Sequence, residues 1–134
     1  LTDVAGLRVI CSFPDDIYRL ALLVTMQDGI ALIQEKDYIK NPKPNGYRSL
    51  HLIVKIPVFF ADKRKEMKVE VQIRTIAMDF WASLDHQLKY KKELIDGSDI
   101  SAELKKCADV ISQTDEKMLE IRKRIEAQEV AIRG

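Results

Sequence analysis

The residues Lys40 to His51, reading KNPKPNGYRSLH, bring two prolines, an Asn-Gly pair, an aromatic ring, several cations and an imidazole into one short stretch. Pro42 and Pro44 stiffen the backbone and remove amide donors. Asn45-Gly46 tolerates the positive φ of a tight turn. A rigid loop that delivers Tyr47, Arg48 and His51 from the start of a strand can hold a flat, anionic ligand such as a nucleotide. The plainer reading of KPNG alone is a surface turn with a solvated basic rim. Parity supplies a second cluster. Lys68, Glu70, Gln72 and Arg74 share one face of a strand, and Met67, Val69, Val71 and Ile73 share the other. Tyr47, Ser49 and His51 also share a face. If these strands pair, both polar rows border one groove, because neighbouring strands lie about 4.8 Å apart. The competing use of such a row is a solvent face of mixed charge. His86 has no Cys or second His near it, which argues against zinc. No Walker-type glycine loop is present, so the P-loop route to ATP is excluded.

The elements that must hold these groups follow from periodicity and punctuation. Ala5 to Phe13 reads as a buried strand. Asp15 or Asp16 is the expected N-cap of a helix reaching about Gln27, with Ile17, Leu20, Ala21 and Val24 at helical spacing. Ile30 to Gln34 is a short strand and Glu35 to Gly46 a loop. Arg48 to Phe60 is a long strand, Ala61 to Lys65 a charged hairpin turn, and Glu66 to Arg74 the returning partner. Thr75 caps a helix to about Lys91, whose stripe Ile76, Phe80, Trp81, Leu84 and Leu88 is expected to be core. After a connection over Glu93 to Asp99, Ser101 is expected to cap a last helix ending near Gly134. There Leu104, Cys107, Ile111, Thr114, Met118, Ile121, Ile125 and Gln128 alternate by three and four. A helix of about 30 residues is about 45 Å long, more than a small domain needs. One end is therefore expected to project and meet another subunit.

The 134 residues fit one compact domain, and 46% apolar content is enough for a core. A net charge of +1 implies neither a nucleic-acid coat nor a membrane-surface protein, so an anion site must come from local arrangement. No apolar run is long enough to span a bilayer. The opening LTDVAGLRVI lacks the regions of a signal peptide and enters a strand almost at once, which reads as a fragment. Cys11 and Cys107 are isolated thiols without metal spacing, as expected in a reducing cytoplasm.

TDVAGLRVI, EKDYIKNPKPNGYRSLH, VEVQIRT and AMDFWASLDHQLKYK, in this order and spacing, resemble the synthetase domain of the RelA/SpoT family of (p)ppGpp synthetases. The likeness covers about the first two-thirds of the chain. It is nearest to the small single-domain alarmone synthetases, although an excised domain of a long bifunctional enzyme fits too. The resemblance implies an α+β fold, a nucleotidyltransferase-like mixed sheet flanked by helices, with a long C-terminal helix. It divides the chain into a synthetase core over 1–95, lacking its N-terminal donor-site part, and an oligomerisation helix over 96–134. The implied reaction moves a pyrophosphoryl group from ATP to the ribose 3′-hydroxyl of GDP or GTP, with Mg²⁺ as cofactor. Asp3 and Glu70 match the two metal-binding and catalytic carboxylates. Tyr47 matches the tyrosine that stacks on guanine, and Arg8 an arginine near adenine. Lys36, Lys43, Asn45, His51 and Gln72 fall where the acceptor nucleotide and its phosphates are lined. A cytoplasmic homotetramer is implied as well.

Two departures carry expectations. The family's basic donor motif lies upstream of the first strand, so the isolated chain is expected to bind ATP poorly. Positions 34 to 37 read Gln-Glu-Lys-Asp where long members have Arg-x-Lys-Asp, which leaves the choice of GDP or GTP open. The alternative to an enzyme is a guanine-nucleotide-sensing or RNA-binding module on the same fold. The near-neutral charge argues against RNA. Alarmone hydrolysis is disfavoured because no separate metal domain with a His-Asp pair is visible.

Overall fold

The computed structural model describes residues 4–95 and 98–134. A four-stranded sheet runs in the order β1-β4-β3-β2, from β1 (Val4–Cys11), β2 (Ala31–Asp37), β3 (Leu50–Phe60) and β4 (Lys63–Thr75). β1 pairs parallel with β4, while β3 runs antiparallel to both β4 and β2, so the sheet is mixed as expected. α1 (Pro14–Thr25) follows β1, α2 (Ile76–Glu93) follows β4, and α3 (Ser98–Arg133) closes the chain.

Register explains the core. Leu50 stands opposite Ile73, Leu52 opposite Val71 and Val54 opposite Val69, so the apolar parity of both strands falls on one face. Ile17 and Ala21 of α1 and Met78 of α2 complete that cluster. The other face is left for polar residues. Among the described residues no helix is long and apolar enough to cross a membrane.

Several boundaries differ from expectation. The N-cap of α1 is Phe13, with no side-chain cap, and Pro14 takes the first helical position. A proline there loses nothing, since its missing amide would be unpaired anyway. Asp15 and Asp16 sit inside the first turn and both pair with Arg122 of α3. β2 continues to Asp37, because pairing of Lys36 with His51 and of Asp37 with Leu50 extends the ladder. The hairpin turn contracts to Ala61-Asp62, both at positive φ as a two-residue turn requires. α3 already runs from Ser98, so Ser101 lies within it.

Of the apolar stripe of α2 only Trp81 is core. Phe80 is 58% exposed, Leu84 40% and Leu88 39%, while Met78 and Trp81 are buried. The helix turns Met78 toward the sheet and Trp81 toward α3, where the indole Nε1 donates to the Leu104 carbonyl at 2.8 Å. On α3 the buried positions are Ala108, Asp115 and Leu119, a face displaced from the expected repeat. Cys107, Thr114, Met118, Ile121 and Ile125 of that repeat stay exposed.

Thr75 joins the sheet to both helices. Its hydroxyl oxygen accepts the Met78 amide at 3.1 Å, the expected N-cap of α2, and its proton goes to Asp115 Oδ2 at 2.6 Å. Burial raises the Asp115 carboxyl above its usual range, against the pull of the Thr75 hydrogen bond. The native state therefore holds that proton more tightly than the unfolded chain does. Its contribution to stability is full below the unfolded value near 3.8 and is lost as pH rises through the native one. Asp115→Asn keeps an acceptor for Thr75 without a buried charge. Thermal denaturation is expected to place the variant a few degrees above the parent at pH 7, with the gap closing toward pH 4. A variant that melts lower at pH 7 contradicts this.

Candidate functional site

Strand register assembles the site on the open face of the sheet. Arg8 pairs with Gln72, Gln72 with His51, and His51 with Lys36. Residues opposite one another point to the same side, so these four form one transverse row, spanning about 14 Å at strand spacing. In the neighbouring row Glu70 lies between Gly6 and Ile53. A Cβ at Gly6 would meet nothing within 4 Å, so the space beside Glu70 is open. Gly6, Leu7, Arg8, Glu70 and Gln72 line a cleft of about 230 Å³. A second cleft of about 550 Å³ shares Arg8, adds Tyr47 and Arg74, and is walled by α2 from Ala82 to Lys89.

The loop before β3 is built as its composition demands. Gly46 has φ +98°, its amide donates to the Lys43 carbonyl at 2.8 Å, and the Tyr47 amide donates to Asn45 Oδ1 at 3.0 Å. Arg48 turns away from the clefts and pairs with Asp109 of α3 at 3.1 Å, so it anchors the loop instead of serving a ligand. Asp37 is likewise structural. It accepts the Ile39 and Lys40 amides and the Tyr18 hydroxyl.

Tyr47 is half-buried and stands edge-on to His51 and Tyr38, with centroids 5.7 and 6.1 Å away. Lys43 Nζ hovers 4.9 Å from the Tyr38 ring and 5.1 Å from the Tyr47 ring. Arg74 NH2 donates to the Tyr47 hydroxyl at 3.3 Å, and that hydroxyl lies 2.9 Å from His51 Nε2. A guanidinium only donates. The Tyr47 proton is thus free to go to His51 Nε2, which leaves the imidazole proton on Nδ1. Burial lowers the His51 pKa, opposed by the charge of Glu70, so the ring is neutral near pH 7 and suited to accept.

Among the expected site residues, Arg8, Lys36, His51, Glu70 and Gln72 come together through the sheet, and Tyr47 and Lys43 reach its edge from the loop. Asn45 is exposed and its oxygen is spent on the turn. Asp3 lies outside the described residues. Glu70 has no hydrogen bond or ion pair among the described residues, and no group of three or more His, Cys, Asp or Glu side chains is placed to hold a metal there. A free carboxylate on an open cleft nonetheless fits Mg²⁺, which commonly takes one or two carboxylates and fills its other positions with phosphate oxygens and water.

Two residues of the site escaped sequence reasoning, and Arg74 is expected on the cleft's polar row without a partner or role. Arg74 shares the parity of Gln72 and Glu70, a signal that pointed to the cleft without singling it out. Tyr38 sits in a stretch read as loop. Asp79, in the first turn of α2, accepts from Arg74 NH1 at 3.2 Å and lies 3.9 Å from Arg8 NH1; nothing in the sequence links it to either.

Comparison with known proteins places these features. Residues 1–94 match the family described as the region found in RelA / SpoT proteins. GTP pyrophosphokinase YwaC of Bacillus subtilis (strain 168) is 47% identical over 124 residues, covering 92% of this chain and 59% of that protein. The crystal structure of small alarmone synthetase 2 from Bacillus subtilis superposes with a TM-score of 0.84 at 47% identity, over 89% of this chain and 65% of that one. The structure of small alarmone synthetase 1 from the same organism, bound to its product pppGpp, gives 0.83 at 37% identity, over 90% and 62%. The chain spans about three-fifths of the length of YwaC and of a second GTP pyrophosphokinase of the same organism, YjbM. A family match over most of its residues, with the same fold, makes this chain a member of the RelA/SpoT family.

Proposed function

We propose that this chain carries the acceptor and metal side of a (p)ppGpp synthetase, transferring pyrophosphate from ATP to the 3′-hydroxyl of GDP or GTP. The observation that carries the reading is the transverse row Arg8-Gln72-His51-Lys36, with a Glu70 beside it that has no partner among the described residues. Phosphoryl chemistry needs cations around phosphate oxygens and an aligned nucleophile, and little else from the protein. Lys36 and Lys43 provide the cations, and Arg8 stands on the side of the donor's adenine. Tyr47 provides a planar face for the purine, and base stacking on such a ring is worth about 1–3 kcal/mol. Glu70 takes the proton as the ribose 3′-oxygen attacks the β-phosphorus of ATP. The bond from that phosphorus to the oxygen bridging to the α-phosphorus breaks, and AMP leaves. A divalent ion held by Glu70, with Asp3 as the second carboxylate, would offset the phosphate charge. The support is joint: family membership, relatives named GTP pyrophosphokinases, and a neighbour holding pppGpp.

Product analysis tests this in the complete protein. ATP with GDP or GTP is expected to give AMP and a 3′-pyrophosphorylated guanine nucleotide in equal amounts. Nucleotide binding without AMP release would favour a sensing module.

A further inference from the structure

α2 turns its two sides to different surroundings. Phe80, Leu84 and Leu88 lie on its apolar side. Asp79, Ala82, His86 and Lys89, spaced by three and four, fall on the other. Ala82, His86 and Lys89 wall the cleft of about 550 Å³ that also holds Arg8, Tyr47 and Arg74. Charge in that wall is one-sided. Asp79 is taken by Arg74, whose NH1 donates to Oδ1 at 3.2 Å, and Arg8 NH1 stands 3.9 Å from the same oxygen. Asp85 turns to Lys92, whose Nζ donates to its Oδ1 at 2.8 Å, with the two side chains only 17% and 19% exposed. Asp85 and Lys89 have the i,i+4 spacing of a helical ion pair, yet Lys89 has no carboxylate partner among the described residues. Arg8, Arg74, Lys89 and Lys92 therefore stand against two carboxylates, Asp79 and Asp85. The excess is positive, and it rests on Arg8 and Lys89.

A lysine on an exposed helix commonly does nothing but solvate. This one differs in where it stands. Cleft walls of low dielectric concentrate a field of one sign, and an ammonium without a carboxylate beside it offers its three donors to an anion. Arg74 gives a second, independent sign of a ligand. It is only 5% exposed in the wall of the same cleft, and its Nε is buried with no partner among the described residues. Burying a cation costs free energy that an apolar side chain of similar volume would not, and an anion in the cleft would offset that cost. Distance fits as well. The ten residues from Asp79 to Lys89 rise about 15 Å along α2. The stripe begins beside Arg8 and Arg74, whose NH2 donates to the Tyr47 hydroxyl at 3.3 Å, and ends at Lys89. A base at the Tyr47 and Arg8 end, whichever nucleotide carries it, leaves the Lys89 end to phosphate. An extended nucleoside polyphosphate spans such a length.

We propose that Lys89 of α2 is a further phosphate-binding residue of this cleft, holding a phosphate group of ATP or of GDP. The inference rests on the synthetase reading for the identity of the ligand, and adds to it a cation from outside the sheet and the Tyr47 loop. Both nucleotides present the same chemistry to Lys89, and the test separates them.

The complete protein and its variants are compared for binding of ATP, GDP, adenosine and guanosine, each alone, by ligand-observed NMR, and for turnover of ATP with GDP. Lys89→Gln takes the charge from an exposed side chain with no partner to lose, so the fold stays intact. It is expected to weaken binding of one nucleotide, and to raise its KM, by about tenfold or more, with both nucleosides within about twofold of the parent. Lys89→Arg keeps the charge and should hold that nucleotide within about threefold. A loss confined to ATP puts Lys89 on the donor, and one confined to GDP puts it on the acceptor. An active parent whose Lys89→Gln variant keeps both nucleotide affinities, or loses the nucleosides as much as the nucleotides, overturns the role of Lys89 alone. A parent that neither binds the two nucleotides nor releases AMP defeats the synthetase reading itself.

Discussion

Glu70→Gln in the complete protein is expected to reduce alarmone formation about a thousandfold or more while leaving guanine-nucleotide affinity within about threefold. Glu70 has no hydrogen bond or ion pair to lose among the described residues and lies half-exposed on the open cleft, so the fold should be untouched. A surface change of this kind usually stays within about 0.5 kcal/mol. The amide keeps the size of the carboxylate but can neither take the 3′-hydroxyl proton nor offer a full charge to a cation. On the proposed reading the purine platform and its cations are other residues, which is why binding and turnover should separate. His51 gives an independent readout. The negative charge of Glu70 holds its pKa up against burial, so removing that charge should let the value fall further, visible in the ring's NMR titration. Near-normal product from this variant would remove Glu70 from the chemistry.

The second large effect is on stability. Gly46→Ala is expected to lower the unfolding free energy by about 3 kcal/mol. Two costs coincide at this position. The backbone holds φ at +98°, which side chains rarely adopt, and an added Cβ would sit 2.7 Å from Ala108 Cβ and 3.3 Å from Lys105 Cα. The helix backbone of α3 cannot step aside as a flexible side chain would. Guanine-nucleotide affinity should fall as well, since Tyr47 is the next residue. Pairing the change with Ala108→Gly separates the two costs. The double variant should recover part of the loss despite the helix penalty of about 1 kcal/mol for the second glycine. Urea denaturation supplies the measurement, and a loss under about 0.5 kcal/mol would show that loop and helix do not hold one another.

α3 is also tied to the rest of the fold. In sequence it reads as an oligomerisation element separate from the synthetase core. In the fold its buried face receives Gly46 at Ala108, Arg48 at Asp109 and the Thr75 hydroxyl at Asp115. The loop that carries Tyr47 and the junction that starts α2 both rest on it. Truncating α3 would therefore disturb the Tyr47 loop, whatever the exposed stripe does.

Short-range rules were enough for a good part of this protein. Alternation separates the two faces of β3 and β4, so Gln72 and Glu70 fall with the polar side and Val71 and Ile73 with the core. Asn45-Gly46 marks its turn and Thr75 its cap, because each depends on atoms within three residues along the chain. Distance along the chain is where such reasoning stops. That Arg8 stands beside Gln72, or Lys36 beside His51, depends on strand order and register, which hydrogen bonding between remote segments sets. The facing of α2 is only partly legible for the same reason, since Trp81 is buried and the rest of its stripe is not. An apolar stripe says that a helix has a face to cover, but which of its sides meets the sheet is settled by the chain's path out of β4 and the packing of Met78 and Trp81. Parity puts Arg74 on the polar face with Glu70 and Gln72, but its three partners are not legible in the sequence, because only close packing of β4, the Tyr47 loop and α2 brings their oxygens around one guanidinium.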